Sequence, residues 1–424
     1  MTVLSGSQFT FTGNAPAGST VPANPVDIAL ATSGGEERLG NSETGTLNIA
    51  GGGAFTLSGN LYLGVNATAN GQVNLSSGGS LSVNAIHGGT AGGTSTLNLS
   101  GGTIQYRVGS TTWMHDLINA YVYAGGVTID TQSNNGTISQ ALDAAAGTGI
   151  TSITLIDGGE GYTAAPIVSF IGGSPINDNE AQAVATFDRA TGKVTGIVIV
   201  NPGQYSSVAG LEVVLSRPAG TLDTWTAPAD VAIGSTASNA GGGLTKIGTG
   251  TLTLTGLSTY TGTTWVKQGT LSYGSTGDDL DDASTVKIDA GGILNLNFDG
   301  TDTISELWLG GVKMSPGIYA SSTPTYGSYF TGAGELKVSI PLPDANGDGV
   351  VDAADYVWLK LHFGLSGAAA EGANLDGQGS VDYADLQILM NYLNTPGAPA
   401  ANTPEPCSAM LLVFGALGLL RRRR

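Results

Sequence analysis

Alternating apolar and polar positions, each run closed by glycines, recur along the first part of the chain. Three runs share the pattern: TLNIAGGG from Thr46, VNLSSGG from Val73 and TLNLSGG from Thr96. Their aligned apolar residues Leu47, Val73 and Leu97 lie 26 and then 24 residues apart, a span typical of one turn of a β-solenoid. Because one turn cannot bury its apolar row alone, the pattern predicts stacked turns with Leu and Val inside and glycines at the corners.

A longer repeat follows this alternating region, which itself continues through residues 106–145. The segment ITLIDGGEGYTAAPIVSF from Ile153 is echoed 44 residues later by IVIVNPGQYSSVAGLEVVL from Ile197. This offset predicts a small duplicated β module within or beside the solenoid. Tyr162 and Tyr205 recur at matching places, where packing of the turns is favoured over stacking on a ligand.

A third pattern begins at Gly242, where the chain reads GGLTKIGTGTLTLTGLSTYTGTTWVKQGTLSYG. It resembles the autotransporter-associated β-strand repeat, whose pattern K-x-G-x-G-x-L-x-L-x-G is followed by Y-x-G and G-x-L. The matching positions are Lys246, Gly248, Gly250, Leu252, Leu254, Gly256, Tyr260, Gly262, Gly269 and Leu271. The resemblance implies a parallel β-helix on an exported protein. Residues 285–338 resemble the module that often closes such repeats, and we expect them to cap the open solenoid end.

After two prolines the composition changes to the acidic segment DANGDGVVDAAD. Its oxygen-bearing positions fit positions 1, 3, 5, 7, 9 and 12 of a calcium loop, and Gly349 lies at position 6, where the sharp turn is needed. The segment therefore predicts a calcium ion held by Asp344, Asn346, Asp348, the Val350 carbonyl, Asp352 and Asp355.

Thirty residues further on, NLDGQGSVDYAD repeats the plan, and apolar residues at helical spacing follow it. Asn374 and Gln378 replace carboxylates at positions 1 and 5, so we expect this second calcium site to be weaker than the first. Its predicted ligands are Asn374, Asp376, Gln378, Ser380, Asp382 and Asp385.

The two loops lack the leading helix of an EF-hand, because Pro341 and Pro343 block a helix before the first loop. The loop-then-helix units between Pro341 and Asn394 resemble a type I dockerin. The resemblance implies calcium-dependent folding and docking onto a cohesin-like partner. It also implies that loop positions 10 and 11 help to choose the partner, and these are Ala353, Ala354, Tyr383 and Ala384. The alternative is that calcium only holds two helices together.

The last segment, TPEPCSAMLLVFGALGLLRRRR, resembles the PEP-CTERM sorting signal. Its 14 mostly apolar residues from Cys407 to Leu420 would form a helix of about 21 Å, shorter than the hydrocarbon core of about 30 Å. This length favours a transient sorting helix over a lasting anchor. The resemblance implies recognition by an exosortase-type enzyme and removal of the tail, while a disordered apolar tail is the alternative. The signal residues are Pro404, Glu405, Pro406, Arg421, Arg422, Arg423 and Arg424.

Charge and composition narrow the function classes. With 33 acidic and 15 basic residues the net charge is −18, and four of the basic residues end the chain, so its body offers no basic track for nucleic acid. Cys407 is the single cysteine, which excludes an intrachain disulfide. Met1 to Thr12 lacks the basic and apolar regions of a secretory signal peptide, so no such signal is visible there.

Patterns typical of enzymes are weak. The sequence contains three histidines, His87, His115 and His362, without an H-E-x-x-H motif, and it contains no G-x-S-x-G motif. One acidic cluster outside the calcium loops is denser than the others, and we interpret it as a solvated turn. Paired carboxylates can also be the catalytic groups of a glycosidase, which is the alternative. The cluster comprises Asp278, Asp279, Asp281 and Asp282.

The expected fold is mainly β: a right-handed parallel β-helix, or solenoid, with a small α-helical dockerin-like calcium module and a short C-terminal hydrophobic helix. The expected units are solenoid repeats (1–149), the duplicated β module (150–220), the autotransporter-associated repeat and cap (221–340), the dockerin-like module (341–395), a linker (396–402) and the sorting tail (403–424).

The expected function is that of an exported structural or interaction protein at the surface of a bacterium or in its extracellular matrix. It would dock through two Ca²⁺-loaded loops and touch the membrane transiently through its C-terminal helix. The alternative is a β-helix that binds or degrades polysaccharide, as a hydrolase or lyase, because many dockerin-bearing chains act on polysaccharide.

Overall fold

The computed structural model divides the chain into two compact units, residues 1–339 and 340–424. The residues that it describes are 2–3, 8–11, 28–29, 36–39, 44–89, 91–216, 229–274, 280–339, 343–347, 351–370, 372–375 and 380–393.

The first unit is a β-solenoid of about ten turns, in which each turn adds one strand to each of two or three sheets. Sheet one is parallel and consists of Thr2–Val3, Thr44–Ile49, Asn70–Ser76, Thr94–Ser100, Asn119–Val122 and Asp143–Ala144.

Two further sheets run the length of the solenoid and are parallel except for one antiparallel end strand each, Val312–Lys313 and Ile28–Ala29. Sheet two consists of Gln8–Phe11, Ala54–Leu57, Ser80–Val83, Gly102–Tyr106, Val127–Asp130, Leu244–Ile247, Thr264–Val266, Thr285–Ile288, Glu306–Leu309 and Val312–Lys313. Sheet three consists of Ile28–Ala29, Glu36–Leu39, Asn60–Leu63, Ala85–Gly88, Ser110–His115, Gly136–Ile138, Thr251–Leu254, Gly269–Tyr273, Gly292–Leu296 and Phe330–Gly332.

The core of the solenoid is built from apolar residues that stack in register. Leu47 pairs with Val73, which pairs with Leu97, and each side chain is at most 1% exposed. The sequence predicts this stacking from the spacing of the three runs, and the register confirms it. Full burial of one such side chain contributes about 1.5–3 kcal/mol, so the rows that continue through ten turns hold the turns together.

Glycines of the residue 242–274 pattern occupy corners where a side chain does not fit. Gly248 has a φ of 82°, in the left-handed region that favours glycine. At Gly250 a Cβ would lie 1.8 Å from the carbonyl oxygen of Asn134 in the turn below. The repeated glycines are therefore required by the close approach of successive turns.

Lys246 of the same pattern lies inside the solenoid and is fully buried. Its ammonium donates to the carbonyl oxygens of Ile247, Gly248 and Gln268 at 3.0, 2.8 and 3.0 Å. Three acceptors match the three donors of a lysine ammonium, so this charge replaces its water shell with corner carbonyls from two turns. Loss of water around the ammonium lowers the pKa of Lys246 to about 8, and the charge of Asp130 partly opposes this.

The chain leaves the solenoid after Asp143–Ala144 and returns at Leu244–Ile247 without interrupting two of the sheets. Val127–Asp130 pairs directly with Leu244–Ile247, and Gly136–Ile138 pairs with Thr251–Leu254. The intervening residues form an insertion with antiparallel strands. These are Thr148–Asp157, Val168–Ile171, Ser174–Pro175, Gln182–Asp188, Lys193–Asn201, Tyr205–Ser207, Glu212–Leu215 and Ala229–Ser238.

In each copy of the 44-residue repeat a long strand precedes a short one, and the second copy also contains the strand Tyr205–Ser207 between them. Thr148–Asp157 and Lys193–Asn201 are the long strands, and the short strands Val168–Ile171 and Glu212–Leu215 pair with each other. Ala229–Ser238 pairs with Thr148–Asp157, so the antiparallel pairing runs past residue 220. The repeated tyrosines Tyr162 and Tyr205 are buried at 3% and 1% exposure, which agrees with packing of the turns.

A ladder of buried amides joins the insertion to sheet one. Asn98 Nδ2 donates to Asn74 Oδ1 at 2.8 Å, and Asn74 Nδ2 donates to Asn48 Oδ1 at 2.6 Å. From the insertion, Asn179 Nδ2 donates to Asn98 Oδ1 at 3.2 Å, and Asn201 Nδ2 donates to Asn179 Oδ1 at 2.8 Å. Buried amides are tolerated when they satisfy one another, so this ladder fixes the insertion at one position on the sheet.

Beyond the insertion the outer face of sheet two carries cations over aromatic rings. Lys267 Nζ lies 3.9 Å from the ring centroid of Trp265, and Lys287 Nζ lies 5.7 and 5.6 Å from those of Trp265 and Trp308. The solenoid unit ends with a three-stranded sheet of Thr301–Ile304, Gly317–Tyr319 and Glu335–Val338, and a 3₁₀ turn at Gly327–Tyr329.

The described residues of the second unit form two α-helices, α1 (Ala353–Leu361) and α2 (Tyr383–Leu393), and a 3₁₀ turn at Gly367–Ala370. Its small core includes Leu359 of α1, Leu389 of α2 and the loop residue Val381. Neither helix, nor any other helix among the described residues, has the length and apolar character needed to cross a membrane. The expected C-terminal hydrophobic helix lies outside the described residues.

We expect Leu97→Ala to lower the free energy of unfolding by about 2–5 kcal/mol, because it leaves a cavity in a fully buried row. Chemical denaturation of the full chain measures this loss. Thr103→Ala, at an outward position of sheet two, is the control and should change the free energy by under about 0.5 kcal/mol. Equal losses in the two variants would contradict the inward stacking.

The contribution of Lys246 to stability should rise with pH between about 8 and 10.5. The folded chain releases this proton at a lower pH than the unfolded chain, so in that window the unfolded state binds more protons and is disfavoured as pH increases. The unfolding free energy of wild type minus that of Lys246→Met should therefore increase by up to about 3 kcal/mol across this pH range. Denaturant titrations at pH 7.5 and 10.5 measure it, and a constant difference would refute the lowered pKa.

Candidate functional site

The first calcium-type loop closes around the carboxylate of Asp355, which is fully buried at the start of α1. Asp355 Oδ1 accepts from the backbone N–H of Asn346 at 3.1 Å, and its Oδ2 accepts from that of Asp352 at 2.7 Å. Asp344 Oδ1 accepts from the N–H of Gly347 at 2.8 Å. The residues at loop positions 1, 3, 9 and 12 are therefore linked by hydrogen bonds within one short loop.

Helix capping explains why this loop ends where α1 begins. Asp352 is the N-cap, and its Oδ1 accepts from the N–H of Ala354 at 2.6 Å. In turn, Asp355 Oδ2 accepts from the N–H of Asp352. This reciprocal arrangement is a capping box, and it satisfies backbone donors that a helix start leaves unpaired. The residues at loop positions 9 and 12 thus serve the helix and the loop at once.

The second loop repeats the geometry. Asp385 is fully buried, and its Oδ2 accepts from the N–H of Asp382 at 2.8 Å. Asp382 Oδ1 accepts from the N–H of Ala384 at 2.7 Å, so it caps α2 as Asp352 caps α1. Sequence duplication and structural duplication therefore coincide at positions 9 and 12.

Burial of the Asp355 carboxylate removes water that would stabilise its negative charge. It raises the pKa of Asp355 above its ordinary value, with a further contribution from the charge of Asp344, while the N–H groups of Asp352 and Asn346 oppose the shift. A cation at this position would offset the desolvated negative charge. The donors are carboxylate and amide oxygens, which are the ligands that Ca²⁺ prefers, so the residues present fit calcium.

Several predicted ligands lie outside the described residues, namely Asp348, Val350, Asp376 and Gln378. Asn374 and Ser380 are described, in the loop that leads to α2. Within the described ranges, no group of three or more His, Cys, Asp or Glu side chains is placed to hold a metal ion.

The residues expected to choose a partner lie in the first turns of the two helices. Ala353 and Ala354 are exposed at the start of α1, and Tyr383 and Ala384 are exposed at the start of α2. Tyr383 is 67% exposed. These positions are open to a partner in both copies.

Sequence reasoning missed an exposed apolar face on α1. Val357 and Leu361 follow Ala353 at intervals of four residues, so the three share one face, and they are 54% and 70% exposed. Phe363 and Leu365 continue the exposed apolar residues after the helix. The signal was present in the sequence, because these residues are out of phase with the buried positions Asp355 and Leu359.

Histidines and acidic residues form two other polar clusters. His87 Nδ1 contacts His115 Nε2, and His115 Nδ1 contacts Asp116 Oδ2 at 2.7 Å, on the outer face of sheet three. Asp281 Oδ1 accepts from the N–H of Ala283 at 2.9 Å, as expected for a turn. Asp278 and Asp279 lie outside the described residues, and so does the whole tail from Pro404 to Arg424.

Two segments match known families. Residues 244–272 match the passenger-associated-transport-repeat, and residues 342–401 match the type I dockerin domain. No curated protein and no solved structure matches the chain. The repeat and dockerin assignments made from the sequence are thereby confirmed. Type I dockerin domains bind calcium and cohesins, and together the two matches point to a surface or secreted protein with a β-solenoid fold.

Proposed function

We propose that this chain is an exported structural protein whose solenoid is attached to a surface assembly through calcium-dependent docking of residues 341–395 onto a cohesin-like partner. The observation that carries the proposal is the exposed apolar face of α1, which begins directly after a calcium-type loop. In the same proposal the solenoid is right-handed, and an exosortase-type enzyme recognises and removes the C-terminal tail, residues 403–424.

Exposed apolar surface on so small a unit favours a protein partner. Ala353, Val357 and Leu361 line one face of α1, and more than half of each of the two larger side chains is open to solvent. Contiguous apolar surface of this kind marks an interaction site in soluble proteins, and a helix face that fits a partner's groove is one common mode.

The two helices differ in the chemistry of equivalent faces. Val357 and Leu361 of α1 correspond, 30 residues later, to Gln387 and Asn391 of α2. All four are exposed, but only the α1 pair is apolar. Because burial of apolar surface is the main favourable term in association, the partner should contact α1 rather than α2.

In this proposal, docking would depend on the calcium concentration around the protein. Asp352 and Asp355 belong both to the proposed calcium site and to the cap that starts α1. Calcium bound by these carboxylates would therefore order the same turn that presents Ala353 and Ala354. Two ions are proposed, one in each loop, because Asp382 and Asp385 repeat the arrangement at α2.

Asp355→Asn should weaken calcium binding by the first loop at least about tenfold, because it removes the charge of the buried ligand at position 12. Calorimetric titration of the metal-free full chain with CaCl₂ measures this loss. Asp282→Asn, an equal charge change on the solenoid, is the control. We also expect Asp348→Ala to cost more affinity than Gln378→Ala, because only Asp348 supplies a carboxylate. Identical titration curves for Asp355→Asn and wild type would show that the loop is not a calcium site.

Val357→Asp and Leu361→Asp should each reduce binding to cohesin domains at least about tenfold, because each places a charge in the proposed apolar contact with the partner. The matched controls Gln387→Asp and Asn391→Asp introduce the same charge on α2 and should bind as wild type does. Binding of the full chain to an immobilised panel of cohesin domains, with calcium and with EDTA, provides the measurement. A loss confined to the α2 variants, or no binding to any domain with calcium, would overturn the docking proposal.

A further inference from the structure

The outer face of sheet two carries a continuous column of side chains that the docking proposal does not use. Successive turns place Thr128, Thr245, Trp265, Lys287 and Trp308 in register, one per strand. Neighbouring strands are about 4.8 Å apart, so the two indoles, which are two strands apart, are separated by about 10 Å along the solenoid. The face therefore changes from hydroxyls to alternating aromatic and cationic side chains.

A groove adjoins the hydroxyl part of this column. It has a volume of about 220 Å³ and is lined by Thr128, Thr245 and Thr263, with Gly101, Gly126 and Gly243 among the residues of its floor. The groove exists because the corner residues are glycines and leave no side chains to fill it. Thr245, on its wall, is the in-register neighbour of Trp265, so the groove and the first indole are contiguous.

Carboxylates on this face are already engaged. Asp289 Oδ1 accepts from Trp265 Nε1 at 3.0 Å. Glu306 accepts from Trp308 Nε1 at 3.2 Å and pairs with Lys313 at 2.7 Å. Lys313 lowers the pKa of Glu306, and the charge of Lys287 makes a smaller contribution in the same direction.

The lysines are held differently. Lys267 and Lys287 lie over indole rings, and neither forms an ion pair within 4.0 Å with any residue that the structure describes. The chain as a whole carries a net charge of −18, which repels anions, and these two ammonium groups would attract them locally.

We propose that this face, from Thr128 to Trp308, binds a linear polysaccharide that carries carboxylate groups and lies along the solenoid axis. The threonine hydroxyls and exposed corner backbone of the groove would bond sugar hydroxyls, and the indoles would pack against sugar C–H groups. Lys267 and Lys287 would attract the carboxylates. The indole separation is spanned by a disaccharide unit of an extended chain. This binding is independent of calcium and of the docking site.

Binding of the full chain to polygalacturonate in EDTA tests the proposal. EDTA prevents calcium from gelling the polymer and keeps the docking loops free of metal, so a failure of docking does not affect the result. We expect saturable binding by wild type that weakens with added salt. The double variant Lys267→Gln/Lys287→Gln should bind at least tenfold more weakly.

Two controls make the test specific. The double variant Lys337→Gln/Lys360→Gln removes the same charge from exposed positions on the last solenoid sheet and on α1, and it should bind as wild type does. The methyl-esterified form of the same polymer keeps its backbone and loses its charge, and it should bind at least tenfold more weakly. Absence of binding by wild type, equal weakening in both double variants, or equal binding of the esterified polymer would each overturn the proposal.

Discussion

In-register stacking of apolar residues is the interaction on which the rest of this molecule depends. Most described strands of the solenoid contribute one or two buried apolar residues, chiefly Leu, Ile or Val, and neighbouring turns cover them. Hydrogen bonds of the parallel sheets run along the same axis, so apolar packing and backbone pairing reinforce each other. Glycine corners, the buried Lys246 and the outward columns all follow from the requirement that turns repeat in register.

Much of the solenoid could be predicted from the sequence because its order is local. The spacing of Leu47, Val73 and Leu97 determines which residues pair, and the structure pairs them in that way. The insertion is different, because its boundary depends on a contact between distant segments. Nothing near Thr148–Asp157 indicates that its partner strand is Ala229–Ser238. Pairing of this kind is decided by tertiary packing, and a local pattern of apolar residues does not indicate which distant strand will be the partner.

The candidate site shows the same division. Oxygen donors at fixed loop positions identify the calcium-type loops directly, because ligand geometry prescribes their spacing. The apolar face of α1 was missed because exposure depends on which side of a helix its neighbours cover. Asp355 and Leu359 face the core, and that choice leaves Val357 and Leu361 outside. The indole column of sheet two was missed for a related reason, since Trp265, Lys287 and Trp308 come into register only after the turns are stacked.

The insertion has a consequence for the order of folding. Val127 and Leu244 are direct neighbours in sheet two although a long stretch of chain separates them, and closing such a loop from an unfolded segment carries an entropic cost. Thr148 pairs with Ser238, so the folded insertion already brings its own two ends together. An insertion that folds first therefore shortens the loop that must be closed, because it converts a distant contact into a nearly local one. The strands of the second half of the solenoid can then pair with strands of the first half that have already formed.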